Sequence, residues 1–510
     1  MSYLLVTSLA FAAIYYLLSI VDAASNPALD IADLLIEVSP GQLATWFIET
    51  LGETAKKLLA VTGVALLTLS MASIHWLVSR TLSSEKHFVQ MGCSFALHTL
   101  VVTGISVINV QSTSTNQDYL TVVVIALVFG IMTPTSTIGT DRPGGVDPAL
   151  NGSSSVSRRR MLSSAFALSV LTSVLAARLI SERAEDESRS SSNMLHMQSH
   201  PLLKDLRSFS VDFAQSPTQR QLVTPVDDFY TVDITTRTPI INVKDWNLSV
   251  TGNVEAPQSF SYEQILAMPK NEFFGTLQCI SNEVGGPLIG CALWTGIPIR
   301  DVLDLVQIKP GTKRVILVAE GGYDDSIDIA KAMEADTTLA YAMNGTALTP
   351  GHGYPLRAYI PGIYGMKNVK WLREIRVSKG NHNGYWQRRG WSNKAIVKTT
   401  SAFDDPVIGS RVRLSSLHNN RIGGIAFAGN RGIAKVQYQT NIDDRWYDAD
   451  LEDQLRVTTW RRWSAQTGLS PGRHMLRLRA IDGNGNIQDS DSAAPHPDGA
   501  SGYHTVEFDY

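Results

Sequence analysis

Hydrophobic positions are spread unevenly along this chain. Up to about residue 180 they gather into long runs broken by few charges; beyond about residue 200 they fall into short groups with strand or helix spacing. Four early runs, at 3–21, 58–78, 88–110 and 119–133, are at or near the ~20 residues that span hydrocarbon, the last being short. A fifth, 161–180, follows Arg158, Arg159 and Arg160. The apolar piece 42–51 is too short to span and predicts an interfacial helix. Residues 182–200 are rich in Ser, Arg and Glu and predict a flexible tether. From 201 to 405 the pattern alternates: 246–252 has period two and predicts a strand, 261–267 opens on Ser261 and predicts a capped helix, and 296–305 leads into helical spacing of Ile299, Val302, Leu303 and Val306. The run 314–319 predicts a strand, so 201–405 is expected to be an α+β domain. In 406–510 the runs 421–429, 433–439 and 472–482, with an Asp482-Gly-Asn-Gly turn, predict an antiparallel β-sandwich.

Composition narrows the picture. A length of 510 residues suggests about three domains, and a formal net charge of −3 gives no electrostatic case for nucleic acid. Three cysteines, Cys93, Cys279 and Cys291, argue against a disulfide framework, although the last two flank a glycine-rich turn across which they could pair. The stretch around Arg158–Arg160 resembles a twin-arginine export signal with Met161 where Phe is usual; an ordinary helix behind a basic stop is the other reading, and both place the arginines in the cytoplasm. The 79–87 loop carries Arg80 and Lys86, whereas 111–118 has no Lys or Arg and 22–57 is acidic. The positive-inside bias then predicts a multi-pass protein of the cell membrane, residues 1–181, with everything after residue 180 on the extracytoplasmic side. His75 and His98 could hold a b-type haem, but at ~1.5 Å rise per residue their depths differ by roughly 10 Å, so polar packing between helices is the default.

Chemistry concentrates at Cys279, which ends a short extended run directly before the polar turn Ser281-Asn282-Glu283-Val-Gly285-Gly286. A thiolate there suits a soft or high-valent metal; a lone buried Cys is otherwise a small hydrophobe. The series Thr276-Leu-Gln-Cys279, Asn282, Gly285-Gly286, Trp294-Thr-Gly-Ile-Pro-Ile-Arg-Asp-Val-Leu303, Gly322-Tyr323, Leu339 to Gly345, His352-Gly-Tyr-Pro-Leu-Arg357 and Pro361 to Trp371 resembles, in order, the molybdenum-cofactor domain of the sulfite oxidase family. The last hundred residues resemble the immunoglobulin-like module that follows it and commonly makes a homodimer.

That resemblance implies a molybdenum–molybdopterin cofactor, with Cys279 as the protein's ligand to the metal and Tyr323 as a hydrogen-bond donor to substrate or an oxo group. It implies Arg357, Lys367 and Lys370 on the phosphate and pterin, His352 on the pterin, Gly365 as a point of close backbone approach, and Asn282 in the cofactor-binding set. Asp228, Phe229 and Tyr230 occupy the place of a pocket-lining Asn/Asp-Phe-Tyr run. Arg388 and Arg389 would flank the pocket mouth or pack on neighbouring tryptophans. Glu283 departs from the family: animal sulfite oxidases carry arginines after the Asn, and a carboxylate repels an oxo-anion. Three functions follow: oxygen-atom transfer of the sulfite oxidase kind, a sulfoxide or other oxo-group reductase, and a cofactor-free binding module. Without a Cys-x-x-Cys-His haem site or an iron–sulfur cysteine set, an external cytochrome or quinone would exchange the electrons.

Overall fold

The computed structural model describes residues 220–235, 238–405 and 421–509, together with Leu35, Ser39, Leu58, Thr62 and Leu66. The chain divides into two compact units, one of residues 1–39 and 46–190, the other of 40–45 and 191–510. Of the first unit, Leu35, Leu58, Thr62 and Leu66 are helical, and the Thr62 hydroxyl donates to the Leu58 carbonyl at 2.9 Å. Among the described residues no helix is long and apolar enough to cross a membrane. Leu58, Thr62 and Leu66 apart, the five expected spans, His75, His98 and Arg158–Arg160 lie outside the described residues.

The first module of the second unit has β1 (Asn247–Gly252), β2 (Gln258–Ser261) and α1 (Tyr262–Ala267). Ser261 caps α1 as its sequence predicts: its hydroxyl accepts from the Gln264 amide at 3.3 Å, and the Gln264 side chain accepts from the Ser261 amide at 2.8 Å. There follow β3 (Asn271–Gln278), β4 (Ile289–Pro298), α2 (Ile299–Val306), β5 (Arg314–Ala319), β6 (Asp324–Asp328), α3 (Ile329–Ala332), β7 (Thr338–Met343), β8 (Thr346–Ala347), β9 (Arg357–Tyr359) and β10 (Leu372–Ser378). Residues 296–298 are not helical: Gly296, Ile297 and Pro298 continue β4, paired with Ala340, Leu339 and Thr338. The helix starts only where Pro298, lacking an N–H, ends the ladder. Its Ile299, Val302, Leu303 and Val306 are fully buried, each contributing about 1.5–3 kcal/mol before entropy is counted.

Two five-stranded sheets result. One has the order β2-β1-β10-β5-β6, with β1 and β10 parallel; the other runs β3-β4-β7-β8, with β9 against β7. The aliphatic core lies against the first sheet, and a second cluster, centred on Trp294, Phe229 and Tyr359, against the other.

The C-terminal part comprises β11 (Thr400–Asp405), β12 (Arg421–Phe427), β13 (Ile433–Thr440), β14 (Tyr447–Asp448), β15 (Asp450–Leu451), β16 (Arg461–Gln466), β17 (Arg473–Asp482) and β18 (His504–Asp509). Its sheets, β11-β12-β16-β15 and β14-β13-β17-β18, share one core containing Phe403, Trp463, Tyr438 and Leu478. β11 pairs with β12, so residues 400–405 belong to this sandwich and not to the domain before it. Asp482 closes the expected turn by accepting from the amides of Asn484 and Asn486.

β3 is an edge strand, and the segment between β15 and β16 covers that edge. The Thr276 amide donates to the Thr458 carbonyl at 3.0 Å, the Trp460 amide donates to the Thr276 hydroxyl at 2.8 Å, and the Trp460 indole donates to the Leu222 carbonyl at 3.0 Å. The two modules are thus joined along the strand that delivers Cys279. Inside the sandwich, Arg462 and Glu452 form a buried bidentate pair at 2.5 and 2.6 Å. Glu452→Ala should lower stability by about 3–5 kcal/mol, because it strands a buried guanidinium; the midpoint of urea unfolding measures this.

Candidate active site

β3 ends at Gln278, and the chain turns at once. The Cys279 amide donates to the Leu288 carbonyl at 2.9 Å, the Asn282 amide donates to the Cys279 carbonyl at 3.1 Å, and the Asn282 side-chain oxygen accepts from the Leu288 amide at 2.7 Å. The Asn282 carbonyl oxygen is therefore spent on closing the loop 279–288. Gly285 has φ +82°, and a Cβ there would lie 2.4 Å from the His504 ring, so the loop needs glycine both for its backbone and for its packing.

Cys279 and Cys291 are both free thiols, so no bridge spans the turn. Cys279 is buried at 7% exposure. Burial pushes its thiol upward, while the Ser281 amide, the Ser281 hydroxyl and the Ile280 amide, all donating to the sulfur, and the Lys370 charge pull it down. Burial outweighs these pulls, and the thiol is held above its ordinary range. Tyr230, Tyr323 and Tyr364 all lie within electrostatic reach of it.

The other expected residues separate into those brought to this point and those used elsewhere. The Tyr230 hydroxyl is buried with no hydrogen-bond partner, and a Cβ on Gly365 would lie 3.1 Å from it and 3.7 Å from the Cys279 Cα. Burial, with the Cys279 charge next, holds the Tyr230 phenol well above its ordinary range, so it is a donor at neutral pH. Arg357, at the start of β9, is 4% exposed and bonds only to the carbonyls of His352, Asn368 and Ala358. No described carboxylate neutralises it, and burial lowers it to about 10. A buried guanidinium facing carbonyls alone is matched to an anion.

His352 bonds to the Val226 carbonyl at 3.1 Å; burial, with Arg357 and Lys370, holds it at about 4, so it is neutral and donates from Nε2. Lys370 reaches Asp233 and the Gly351 carbonyl, both at 3.1 Å, and lies over the Trp371 ring. Phe229 packs between Tyr230, Trp294 and His352, and its role is to hold Tyr230 and His352 in place. Asp228 is exposed at the end of a single 3₁₀ turn. Glu283 is exposed on the loop.

Lys367 corrects the expectation made for it. Its ammonium is buried against Asp325 at 2.6 Å and the Ser326 carbonyl at 2.9 Å, so its charge is already answered. Tyr323 donates to the Met366 carbonyl at 2.5 Å, and burial with the nearby Asp325 and Asp324 carboxylates keeps the phenol protonated. Arg388 forks onto Asp324 at 2.8 and 3.1 Å, while Arg389 stacks on Tyr385 at 3.7 Å. Sequence patterns did not single out Ser281, Asp325 or His496. The first sits inside the motif; the others become partners of site residues only through folding, and no local spacing marks them.

Among the described residues no cluster of three or more His, Cys, Asp or Glu is placed to hold a metal ion. The unpartnered Tyr230 hydroxyl, the uncompensated Arg357 and the bare Gly365 backbone fit an anionic, hydrogen-bonding group beside the sulfur. Fold and site together define a metallocofactor-dependent redox enzyme.

Comparison with known proteins agrees. The model of the family described as oxidoreductase molybdopterin binding domain matches residues 235–386. An uncharacterized oxidoreductase, YuiH of Bacillus subtilis, is 34% identical over 168 residues, 31% of this chain and 83% of that protein. The mitochondrial sulfite oxidase of Drosophila melanogaster is 28% identical over 346 residues, which cover 57% of this chain and 60% of that protein. The sulfane dehydrogenase SoxCD from Paracoccus pantotrophus shares the fold, with a TM-score of 0.50 at 20% identity over 61% of this chain and 90% of that one. The chain belongs to the oxidoreductase molybdopterin-binding family and is an oxidoreductase, which sets aside the cofactor-free module.

Arg357→Leu should cut retained pterin phosphate by about 10- to 100-fold, the worth of a charged hydrogen bond, whereas Lys367→Met should keep it and instead lose about 3–5 kcal/mol of stability by stranding Asp325; cofactor content against thermal unfolding separates the two. Acid stability gives a second check. His504 is held by burial at about 4 and accepts from the Phe403 amide through Nδ1, which only a neutral imidazole can do. Its folded value lies below the ordinary 6.5, so its contribution is complete above about pH 6.5 and is lost as pH falls towards 4. At about 1.4 kcal/mol per unit, His504→Gln should flatten the decline in stability between pH 7 and 4 by roughly 3 kcal/mol.

Proposed function

We propose that this protein is a membrane-tethered molybdenum-cofactor oxidoreductase that transfers an oxygen atom and two electrons, as sulfite oxidases do, on the extracytoplasmic side. The observation that carries the proposal is the Cys279 sulfur, buried among donors at the end of β3 and beside a phenol that has no partner of its own. The cofactor, when bound, supplies the two-electron and oxo chemistry. The chain's residues do the rest. Cys279 would ligate the metal and donate charge to it; Arg357 and Lys370 would balance the anionic cofactor, beside a neutral His352 held on the Val226 carbonyl; Tyr230 stays protonated as a hydrogen-bond donor, while the Tyr323 hydroxyl is held on the Met366 carbonyl; and the loop 279–288 holds the sulfur at one place. Nothing in this scheme needs a protein nucleophile.

The membrane part and the outward orientation rest on the apolar runs before residue 181 and the charge bias of the loops between them. The two-sheet sandwich is read as the family's immunoglobulin-like module, with homodimer formation through it. An external cytochrome or quinone exchanges the electrons.

Glu283 favours a second reading. An exposed carboxylate on the active-site loop repels sulfite and tolerates a neutral substrate, which suits a sulfoxide reductase on the same site. Steady-state assays of sulfite with an electron acceptor against methionine sulfoxide with an electron donor distinguish the two. Cys279→Ser should abolish turnover and leave thermal unfolding nearly unchanged; normal turnover in that variant would overturn the mechanism.

A further inference from the structure

The outer face of the C-terminal sandwich carries two arginines that the proposed chemistry does not use. Along β17, Leu476, Leu478 and Ala480 turn into the shared core, and Arg477 and Arg479 stand half-buried on the other face. Two residues apart on one strand, their Cα atoms are ~7 Å from each other. Opposite them on β13 are Gln439 and Gln437. Gln437 Oε1 accepts from Arg479 Nε at 2.9 Å and from its Nη2 at 2.7 Å; Gln439 Oε1 accepts from Arg477 Nη1 at 3.5 Å. Arg479 also lies 4.1 Å from the Trp446 ring centroid and Arg477 5.4 Å from that of Tyr503, and the two rings meet edge to face at 5.4 Å. Asp448 accepts from Gln437 Nε2 at 2.7 Å, which turns Oε1 toward Arg479, and is itself paired with Lys435 at 3.4 Å. Arg473 is paired with Glu507 at 2.7 Å. Among the described residues no carboxylate bonds Arg477 or Arg479. The strands of this face thus keep two positive charges unanswered, in a chain whose formal net charge is −3.

We infer that this face docks an acidic protein that exchanges electrons with the enzyme, its carboxylates taking the guanidinium forks of Arg477 and Arg479. A guanidinium matches a carboxylate through paired N–H groups. Neutral amides and stacked rings hold the two forks in place without spending their charge, so little side-chain freedom is left to lose on binding. Opposite charge on the partner steers its approach and fixes its register. The face adjoins the site: Tyr503 is followed by His504, whose ring packs against Gly285 of the loop 279–288. A localised patch of carboxylates suits the pair better than an anionic membrane, which is broad and would also meet Asp443 and Asp444 in the loop from β13 to β14. The inference rests on the reading that an external carrier exchanges the electrons.

The test is calorimetric titration of the full-length, metal-loaded protein at low ionic strength. The probe is cytochrome c with its lysines succinylated, which makes it acidic; unmodified, basic cytochrome c is the control. The expected result is binding of the acidic form alone, weakened roughly tenfold when Arg477→Gln and Arg479→Gln are combined, with a shallower dependence on salt. A second double variant, Lys244→Gln with Lys313→Gln, makes the same change in net charge at exposed positions of the first module and should bind as wild type does. Equal weakening in the two double variants would show a diffuse charge effect and overturn the inference, as would binding that ignores the arginine pair. Phosphatidylglycerol vesicles held more tightly than the acidic protein through the same two arginines would reassign the face to a membrane and overturn it too. Turnover with ferricyanide, a small acceptor that needs no docking, should be the same in wild type and in the arginine variant. Its absence from wild type would instead count against the proposed function, and the binding result is read without it.

Discussion

Everything at the site depends on a closed loop at the end of an edge strand. The Cys279 amide bonded to the Leu288 carbonyl, and the Leu288 amide bonded to the Asn282 side chain, pin residues 279 and 288 to each other. The turn between them places Ser281 and Ile280 beside the sulfur. Such a loop carries few apolar contacts of its own, so its geometry comes from hydrogen bonds and from what leans on it. Both supports come from the sandwich: His504 packs against Gly285, and His496 bonds Ser281. The same sandwich covers the open edge of β3 through Thr458 and Trp460. A sulfur that must not move is held by two modules at once.

Electrostatics divide the cations by task. Lys367 is neutralised by Asp325 and contributes structure, since a buried ion pair costs desolvation and returns specificity of packing rather than a free charge. Lys370 is shared with Asp233. Arg357 is buried among carbonyls, with no carboxylate on it among the described residues, at a cost that a folded chain tolerates when an anion supplies the missing interaction. The phenols follow the same logic. Burial keeps both phenols protonated, helped by the Cys279 sulfur at Tyr230 and by the Asp325 and Asp324 carboxylates at Tyr323.

The relation between sequence and structure is uneven along the chain. Local rules carried far in the elements. The Ser261 cap, the aliphatic stripe of α2, β5 and the Asp482 turn lie where spacing and side-chain chemistry put them, because each depends on neighbours within a few residues. The start of α2 was misplaced by three residues because β4 runs on through Gly296 and Pro298 to pair with β7, and strand pairing is not written in the helical stripe. The sandwich likewise begins at Thr400, since only pairing with β12 assigns that strand to a module.

At the site, the sequence by itself determined the candidate residue and its setting: a cysteine before a polar turn with two glycines, and the ordered motifs that mark a molybdopterin-binding oxidoreductase. Only the tertiary structure decided which cation stays uncompensated, which phenol lacks a partner, and which distant histidine stands behind Ser281. Those properties depend on distances between groups up to 215 residues apart. A side chain's charge is in the sequence, but whether that charge is answered depends on what the fold places beside it.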